Sequence, residues 1–158
     1  MKCKYKILDV CCGARMFWFD KNDQRAIFLD KRNEHTTLCD GRYFEVSPDI
    51  IADFTYLPFA NQTFSLVVFD PPHLRQCGPK SWLGIKYGKL PNDFFKELQK
   101  GFQECWRVLK PEGTLIFKWN ETQIPLREIK GAFPCKPLFG QKTTKNLKTH
   151  WVVFHKSL

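Results

Sequence analysis

Asp70-Pro71-Pro72-His73 follows directly on an apolar run, Phe64-Ser65-Leu66-Val67-Val68-Phe69. That run is too short for a helix and rich in strand-forming residues, so it reads as a strand buried on both faces of a parallel sheet. Asp70 then stands at the carboxyl edge, where open α/β sheets bind their ligands. Pro71 and Pro72 fix φ, donate no amide hydrogen bond and impose extended geometry on the residue before each, so the acid is held at a stiff corner. A second constellation lies upstream. Lys6-Ile7-Leu8-Asp9-Val10 reads as a first buried strand, Cys11-Cys12-Gly13-Ala14 as a tight turn, and Ala26-Ile27-Phe28-Leu29-Asp30 as a second strand ending in an acid. A glycine turn lets a ligand approach the backbone, and an acid at the end of the next strand can accept both hydroxyls of a ribose, which is the geometry of an adenosine site. The full G-x-G-x-x-G pattern is absent: Cys11 and Arg15 stand where further glycines belong. A pyrophosphate-bearing dinucleotide is therefore disfavoured. Ile50-Ile51-Ala52-Asp53 reads as a third strand, again ending in an acid and followed by Phe54.

The elements that must position these residues are compact. With 158 residues, 43% hydrophobic and 15% aromatic, the chain suffices for one domain, taken as 1–158, with a substantial core. The first crossover is brief: Met16-Phe17-Trp18-Phe19 is apolar enough for a short helix, which Asn22-Asp23 breaks. Residues 31–49 show no helical period, and Asp40-Gly41 reads as a turn between short extended pieces. After His73 comes a long loop with Gly78-Pro79, Gly84 and Gly88. It carries Lys80, Tyr87 and the candidate substrate contacts Arg75, Trp82 and Lys86, and loops of such length are more often functional than idle. Phe94, Leu98, Phe102, Trp106 and Leu109 recur at helical spacing behind Pro91-Asn92-Asp93 and predict a helix with these residues in the core. Lys110-Pro111-Glu112-Gly113 ends it, and Thr114-Leu115-Ile116-Phe117-Lys118-Trp119 is a further strand. A short helix is predicted within 124–130. Pro137-Leu138-Phe139 and Thr149-His150-Trp151-Val152-Val153-Phe154 form a final antiparallel pair with Lys142, Lys145 and Lys148 between them. The expectation is a doubly wound α/β domain with a mostly parallel sheet of seven strands, an antiparallel C-terminal strand and shortened first helices.

A formal charge of +9 and a pI near 9.3 favour a polyanionic partner. Seven cysteines, odd in number and without a C-x-x-C pair, argue against a disulfide framework and a zinc site, and are expected as reduced thiols. Met1-Lys2-Cys3-Lys4-Tyr5-Lys6 leads into a strand with no signal-peptide pattern, and no apolar run approaches membrane-spanning length. A soluble, cytoplasmic protein without a membrane partner is expected.

Across 7–119, and with a family-like end through 154, the chain resembles the class I S-adenosylmethionine-dependent methyltransferases, which have a Rossmann-like fold. Ile7-Leu8-Asp9-Val10-Cys11-Cys12-Gly13 is similar to the family's first motif, whose acid and backbone face the amino-acid end of the cofactor. Asp30 matches the ribose-binding acid, and Asp53-Phe54 the pair that meets the adenine ring. Leu57-Pro58-Phe59 and the run from Trp106 through Pro111 to Leu115 also look like the family. Asp70-Pro71-Pro72-His73 resembles the Asp/Asn-Pro-Pro-aromatic motif of methyltransferases that modify planar amino groups, in which the acid and a proline carbonyl accept the two N–H bonds and the fourth residue stacks on the target ring. The resemblance implies S-adenosyl-L-methionine as cofactor, held by Asp9, Val10, Cys11, Gly13, Asp30, Asp53, Phe54 and Asp70, with Asp70, Pro71, Pro72 and His73 at the reacting nitrogen. Together with the basic charge it implies a nucleic-acid base, in DNA or RNA, as the methyl acceptor. A protein glutamine or small amine is the alternative acceptor, and a non-catalytic cofactor- or nucleic-acid-binding module the alternative class. The brevity of the chain fits a phage or prophage setting.

Overall fold

The structure is a computed structural model that describes residues 6–38, 40–78, 81–142 and 148–158. Cys3, Cys39, Pro79, Lys80 and Lys145 lie outside the described residues. Among the described residues, nine strands and three α-helices follow in the order β1 (Ile7–Asp9), β2 (Ala26–Asp30), β3 (Glu34–Thr37), β4 (Tyr43–Val46), β5 (Ile50–Ile51), β6 (Phe64–Phe69), α1 (Trp82–Tyr87), α2 (Phe94–Val108), β7 (Leu109–Asn120), α3 (Leu126–Ile129), β8 (Phe139–Lys142) and β9 (Thr149–His155). A 3-10 turn at Lys130–Ala132 extends α3. Seven strands form one sheet in the order β5-β2-β1-β6-β7-β9-β8. The first five run parallel and the last two pairings are antiparallel, as the sequence leads one to expect. Parallel neighbours demand burial on both faces, and β2 is buried at every residue.

The main core lies between one face of the sheet and α2. Leu98, Gly101, Phe102, Cys105 and Val108 turn inward from the helix, and Phe102 packs against Phe69 and Phe117 with ring centroids 5.2 and 4.8 Å apart. Two sequence expectations shift here. Phe94 and Trp106 are only partly buried, and Leu109 belongs to β7. An i+4 repeat drifts around the helix, so Gly101 and Cys105 take the inward stripe instead. Lys110-Pro111-Glu112-Gly113 interrupts the ladder rather than preceding it: β7 pairs with β6 at Leu109, then resumes at Thr114 after a register shift, with Glu112 at φ 62°.

The other face holds a small cluster of Cys12, Ala26 and Phe28 with Ile7 and Trp18. The short helix expected around Met16–Phe19 does not form; residues 11–25 are turns and bends. Arg15, at φ 53°, explains why. Its guanidinium lies 3.9 Å over the Phe28 ring and donates to the carbonyls of Lys21 and Ser47, drawing the segment into a loop across the sheet edge. The third strand is shorter than expected, Ile50–Ile51 only, and Asp53 lies beyond it. Strands β3 and β4 make a separate hairpin around the Asp40-Gly41 turn, where Gly41 has φ 81°. Its Leu38, Phe44 and Val46 pack with Ala14 and with Ile85 of α1. The stretch after His73 thus contains a short helix that its sequence period conceals. None of its residues is fully buried, so no apolar stripe marks it.

Candidate functional site

The carboxyl ends of β1, β2 and β6 meet at one cavity of about 240 Å³. Asp30 ends β2 and is almost wholly buried. Its Oδ2 accepts the Gly13 N–H at 2.9 Å, and its Oδ1 accepts the backbone N–H of Arg32 at 2.9 Å and the Arg32 Nε at 3.2 Å. Gly13 has φ 49°, in the left-handed region where side chains are strained, so the tight turn that points its amide at Asp30 favours glycine. Arg32 reaches further, donating through Nη1 to the Ile85 carbonyl at 2.9 Å. It thereby fastens α1 over the mouth of the cavity.

Asp9, at the end of β1, has no exposed surface. Trp18 Nε1 donates to its Oδ2 at 2.7 Å, while no described residue completes a hydrogen bond to Oδ1. Burial pushes its carboxyl up to about 7, the Trp18 bond and the nearby Cys11 amide opposing and the Asp70 charge adding to the rise. Asp70 itself projects from the end of β6 into the cavity, where Lys118 Nζ donates to its Oδ2 at 2.7 Å. Burial raises the Asp70 carboxyl and the Lys118 charge works against that rise. Lys118 comes from β7, and its ammonium also lies over the rings of Phe17 and Trp151, at 5.3 and 5.8 Å.

Of the residues singled out from sequence, Val10, Cys11, Gly13, Asp30 and Phe54 line this cavity, as do Asp70, Pro71, Pro72 and Lys86. Asp9 lies just beneath it. Asp53 lines an adjoining pocket that shares Lys31, Phe54, Pro72 and Lys89 with the first, and its Oδ1 accepts the Thr55 amide and hydroxyl at 2.9 and 2.8 Å. His73 does not reach the cavity wall. It is buried against Tyr87 and Trp119, ring centroids 5.1 and 6.3 Å away, and burial followed by the Lys118 charge lowers it to about 4, so it is neutral at ordinary pH. The rings at the wall are Phe17, Phe54 and Tyr87, and of these Tyr87 is the one His73 packs against. Arg75 is exposed, 5.4 Å over the Phe94 ring, and outside the cavity. Trp82 is exposed on α1, with the Lys86 ammonium 5.1 Å over its ring.

Among the cavity residues given no role from sequence are Arg32 and Lys118, and Tyr87 stands in the predicted functional loop without a role of its own. A lysine in an otherwise apolar strand, aligned with the acid of a neighbouring strand, was the available signal for Lys118. The Phe54 wall depends on another residue without a sequence signature. A side chain at Gly101 would stand 2.6 Å from Phe69 and 2.7 Å from Phe54, so only glycine lets α2 seat both rings.

The architecture is that of an open α/β domain with its ligand cavity at the carboxyl edge of the parallel strands. No family model and no curated protein matches the chain. Solved structures do match it over nearly its full length. The PH0226 protein of Pyrococcus horikoshii is 18% identical over 99% of this chain and 84% of its own, with a TM-score of 0.57. A TehB-like SAM-dependent methyltransferase from Corynebacterium glutamicum is 14% identical over 98% and 81%, with a TM-score of 0.58. The N-methyltransferase NodS from Bradyrhizobium japonicum is 12% identical over 98% and 86%, with a TM-score of 0.54. At these identities the likeness is one of fold: the chain has a Rossmann-like fold of the kind these methyltransferases share.

Proposed function

We propose that the protein is an S-adenosylmethionine-dependent methyltransferase that methylates an amino nitrogen of a nucleic-acid base. The observation that carries this is the opening of Asp30 and Asp70 into one cavity, at the ends of β2 and β6. The residues fit a cationic adenosyl cofactor. Asp30 and Asp70 line the cavity with Asp9 buried next to its Val10 wall, and no described residue completes a hydrogen bond to Asp9 Oδ1. Asp30 would hold the ribose, Phe54 and Asp53 the adenine, and the turn at Val10, Cys11 and Gly13 the amino-acid end. Bound there, the cofactor supplies an electrophilic methyl group on a sulfonium.

The chain's own task is to present a poor nucleophile. An amine conjugated to a ring delocalises its lone pair. Accepting its N–H bonds on Asp70 and on the Pro71 carbonyl turns the lone pair out of conjugation and toward the methyl. Lys118 occupies Oδ2 of Asp70, which leaves Oδ1 for the amine. Charge-assisted hydrogen bonds contribute roughly 1.5–3 kcal/mol each, whereas holding two reactants in register supplies about 7–11 kcal/mol. Positioning is therefore the larger effect, and the stiff Pro71-Pro72 corner serves it. As the nitrogen gains the methyl it sheds a proton, and Asp70, whose carboxyl burial raises, is placed to take it up. Tyr87 supplies an aromatic wall where His73 was expected to stack.

A polyanionic substrate is supported by the +9 charge and by Lys31, Lys86 and Lys89 around the opening. A base within a duplex would have to be flipped out to reach Asp70. The test is incubation with methyl-labelled cofactor and pools of DNA and RNA, followed by mass spectrometry of the nucleosides. Label on an exocyclic amine, lost in Asp70→Ala, is the expected result. Absence of label from every nucleic acid, with transfer to a glutamine peptide or a small amine, would move the substrate out of this class.

A further inference from the structure

Lys118 is the cavity residue that the transfer of a methyl group does not by itself require. Its ammonium carries three N–H donors. Asp70 Oδ2 takes one, and no other hydrogen-bond acceptor among the described residues engages it. The two aromatic faces beside it, Phe17 and Trp151, stabilise the positive charge without accepting a conventional hydrogen bond. The cross-strand register places Lys118 opposite Trp151 on β9, and the lysine lines the same cavity as Asp70, Pro71 and Tyr87. Asp70 and Lys118 therefore present an acceptor and a donor side by side at the point where the target amine would dock.

Resting on the methyltransferase assignment above, we propose that Lys118 is a specificity residue: it donates to a hydrogen-bond acceptor adjacent to the target amine while Asp70 accepts from the amine itself. The substrate edge this pair fits is an exocyclic amine next to an unprotonated ring nitrogen, the donor–acceptor pattern of adenine N6 with N1 and of cytosine N4 with N3. An amine whose neighbouring ring position is C–H would leave a desolvated ammonium donor unsatisfied. Sites built around a hydrogen bond reject such analogues strongly.

The test uses two oligonucleotides: one carrying the natural, unmethylated target base, and one in which its adjacent ring nitrogen is replaced by C–H, as 1-deazaadenine or 3-deazacytosine. Wild type should prefer the natural base by about 10- to 100-fold in kcat/KM, the range expected of one charge-assisted hydrogen bond. Lys118→Met should bring that ratio to near one, and Lys118→Arg, which keeps charge and donors, should retain part of it. Because Lys118→Met also strips Asp70 of its counter-ion and so lowers turnover, the ratio is measured in parallel by equilibrium binding of the two oligonucleotides, which needs no chemistry. A wild-type enzyme indifferent to the ring nitrogen, or a Lys118→Met variant that keeps the full ratio in binding and in rate, would overturn the role of Lys118 and leave methyl transfer standing. Failure of wild type to methylate any nucleic acid would overturn both.

Discussion

Asp9 and His73 are buried groups whose titrations act on stability in opposite directions, and separating them tests the electrostatics of the site. Burial moves the Asp9 carboxyl from 3.8 up to about 7. Between those values the folded chain holds a proton that the unfolded chain has released. Stability from this group is therefore full below pH 3.8 and falls as pH rises toward 7. At ~1.4 kcal/mol per pH unit, that interval amounts to roughly 4 kcal/mol. His73 moves the other way, from 6.5 down to about 4, through burial and then the Lys118 charge. Here the unfolded chain binds the extra proton, so stability is full above pH 6.5 and is lost as pH falls toward 4, by roughly 3 kcal/mol. In the native protein the two slopes nearly cancel across pH 4 to 6.5. Asp9→Asn keeps the size of the side chain and an oxygen for Trp18 Nε1, and removes one slope. Urea unfolding of the variant and wild type at a series of pH values reads the outcome. Relative to wild type, Asp9→Asn should gain roughly 4 kcal/mol between pH 4 and 7.5, on top of a pH-independent offset from the new amide, and level off above. A difference that stays flat with pH would refute the raised Asp9 carboxyl. One that shrinks as pH rises would mean that the ionised form has a favourable partner in the fold.

Gly101→Ala gains ~1 kcal/mol of helix propensity but places a methyl 2.6 Å from Phe69 Cζ and 2.7 Å from Phe54 Cδ2. Overpacking at a cost of about 1–3 kcal/mol should prevail, so a lower melting temperature and weaker S-adenosylmethionine binding by calorimetry are expected together, because Phe54 is displaced. Arg107→Met severs the ion pair with Glu104 at 2.7 Å and the bonds to the carbonyls of Leu57 and Phe59 at 3.0 and 2.8 Å, which fix the loop before β6 to α2. A loss of about 1.5–3 kcal/mol should appear in chemical unfolding. Arg32→Met releases the Ile85 carbonyl. Limited proteolysis should then cut faster within 81–90, with the sheet still resistant; unchanged cleavage would show that Ile85 packing alone holds α1.

Much of the frame was legible in the linear sequence because its signals are local. Short β-branched runs, the glycine after β1 and the acids closing β2 and β6 each announce themselves within a few residues. A mostly parallel sheet with an antiparallel end follows from the few ways such units can stack, whereas the strand order came with the structure. What escaped was decided by contacts between distant residues. Arg15 finds Phe28 and Ser47 and converts an expected helix into a loop. Ile85 finds the hairpin and seats a helix that has no apolar stripe of its own. The Asp70 corner shows both sides of this division. The stiffness of Pro71-Pro72 and the place of Asp70 at a strand end belong to the local chain. That Asp70 shares its charge with Lys118, 48 residues away, and that His73 turns inward against Trp119 rather than toward the cavity, came only with tertiary packing. Backbone geometry is set by the residue and its neighbours, whereas burial and charge pairing depend on which strands the sheet brings side by side.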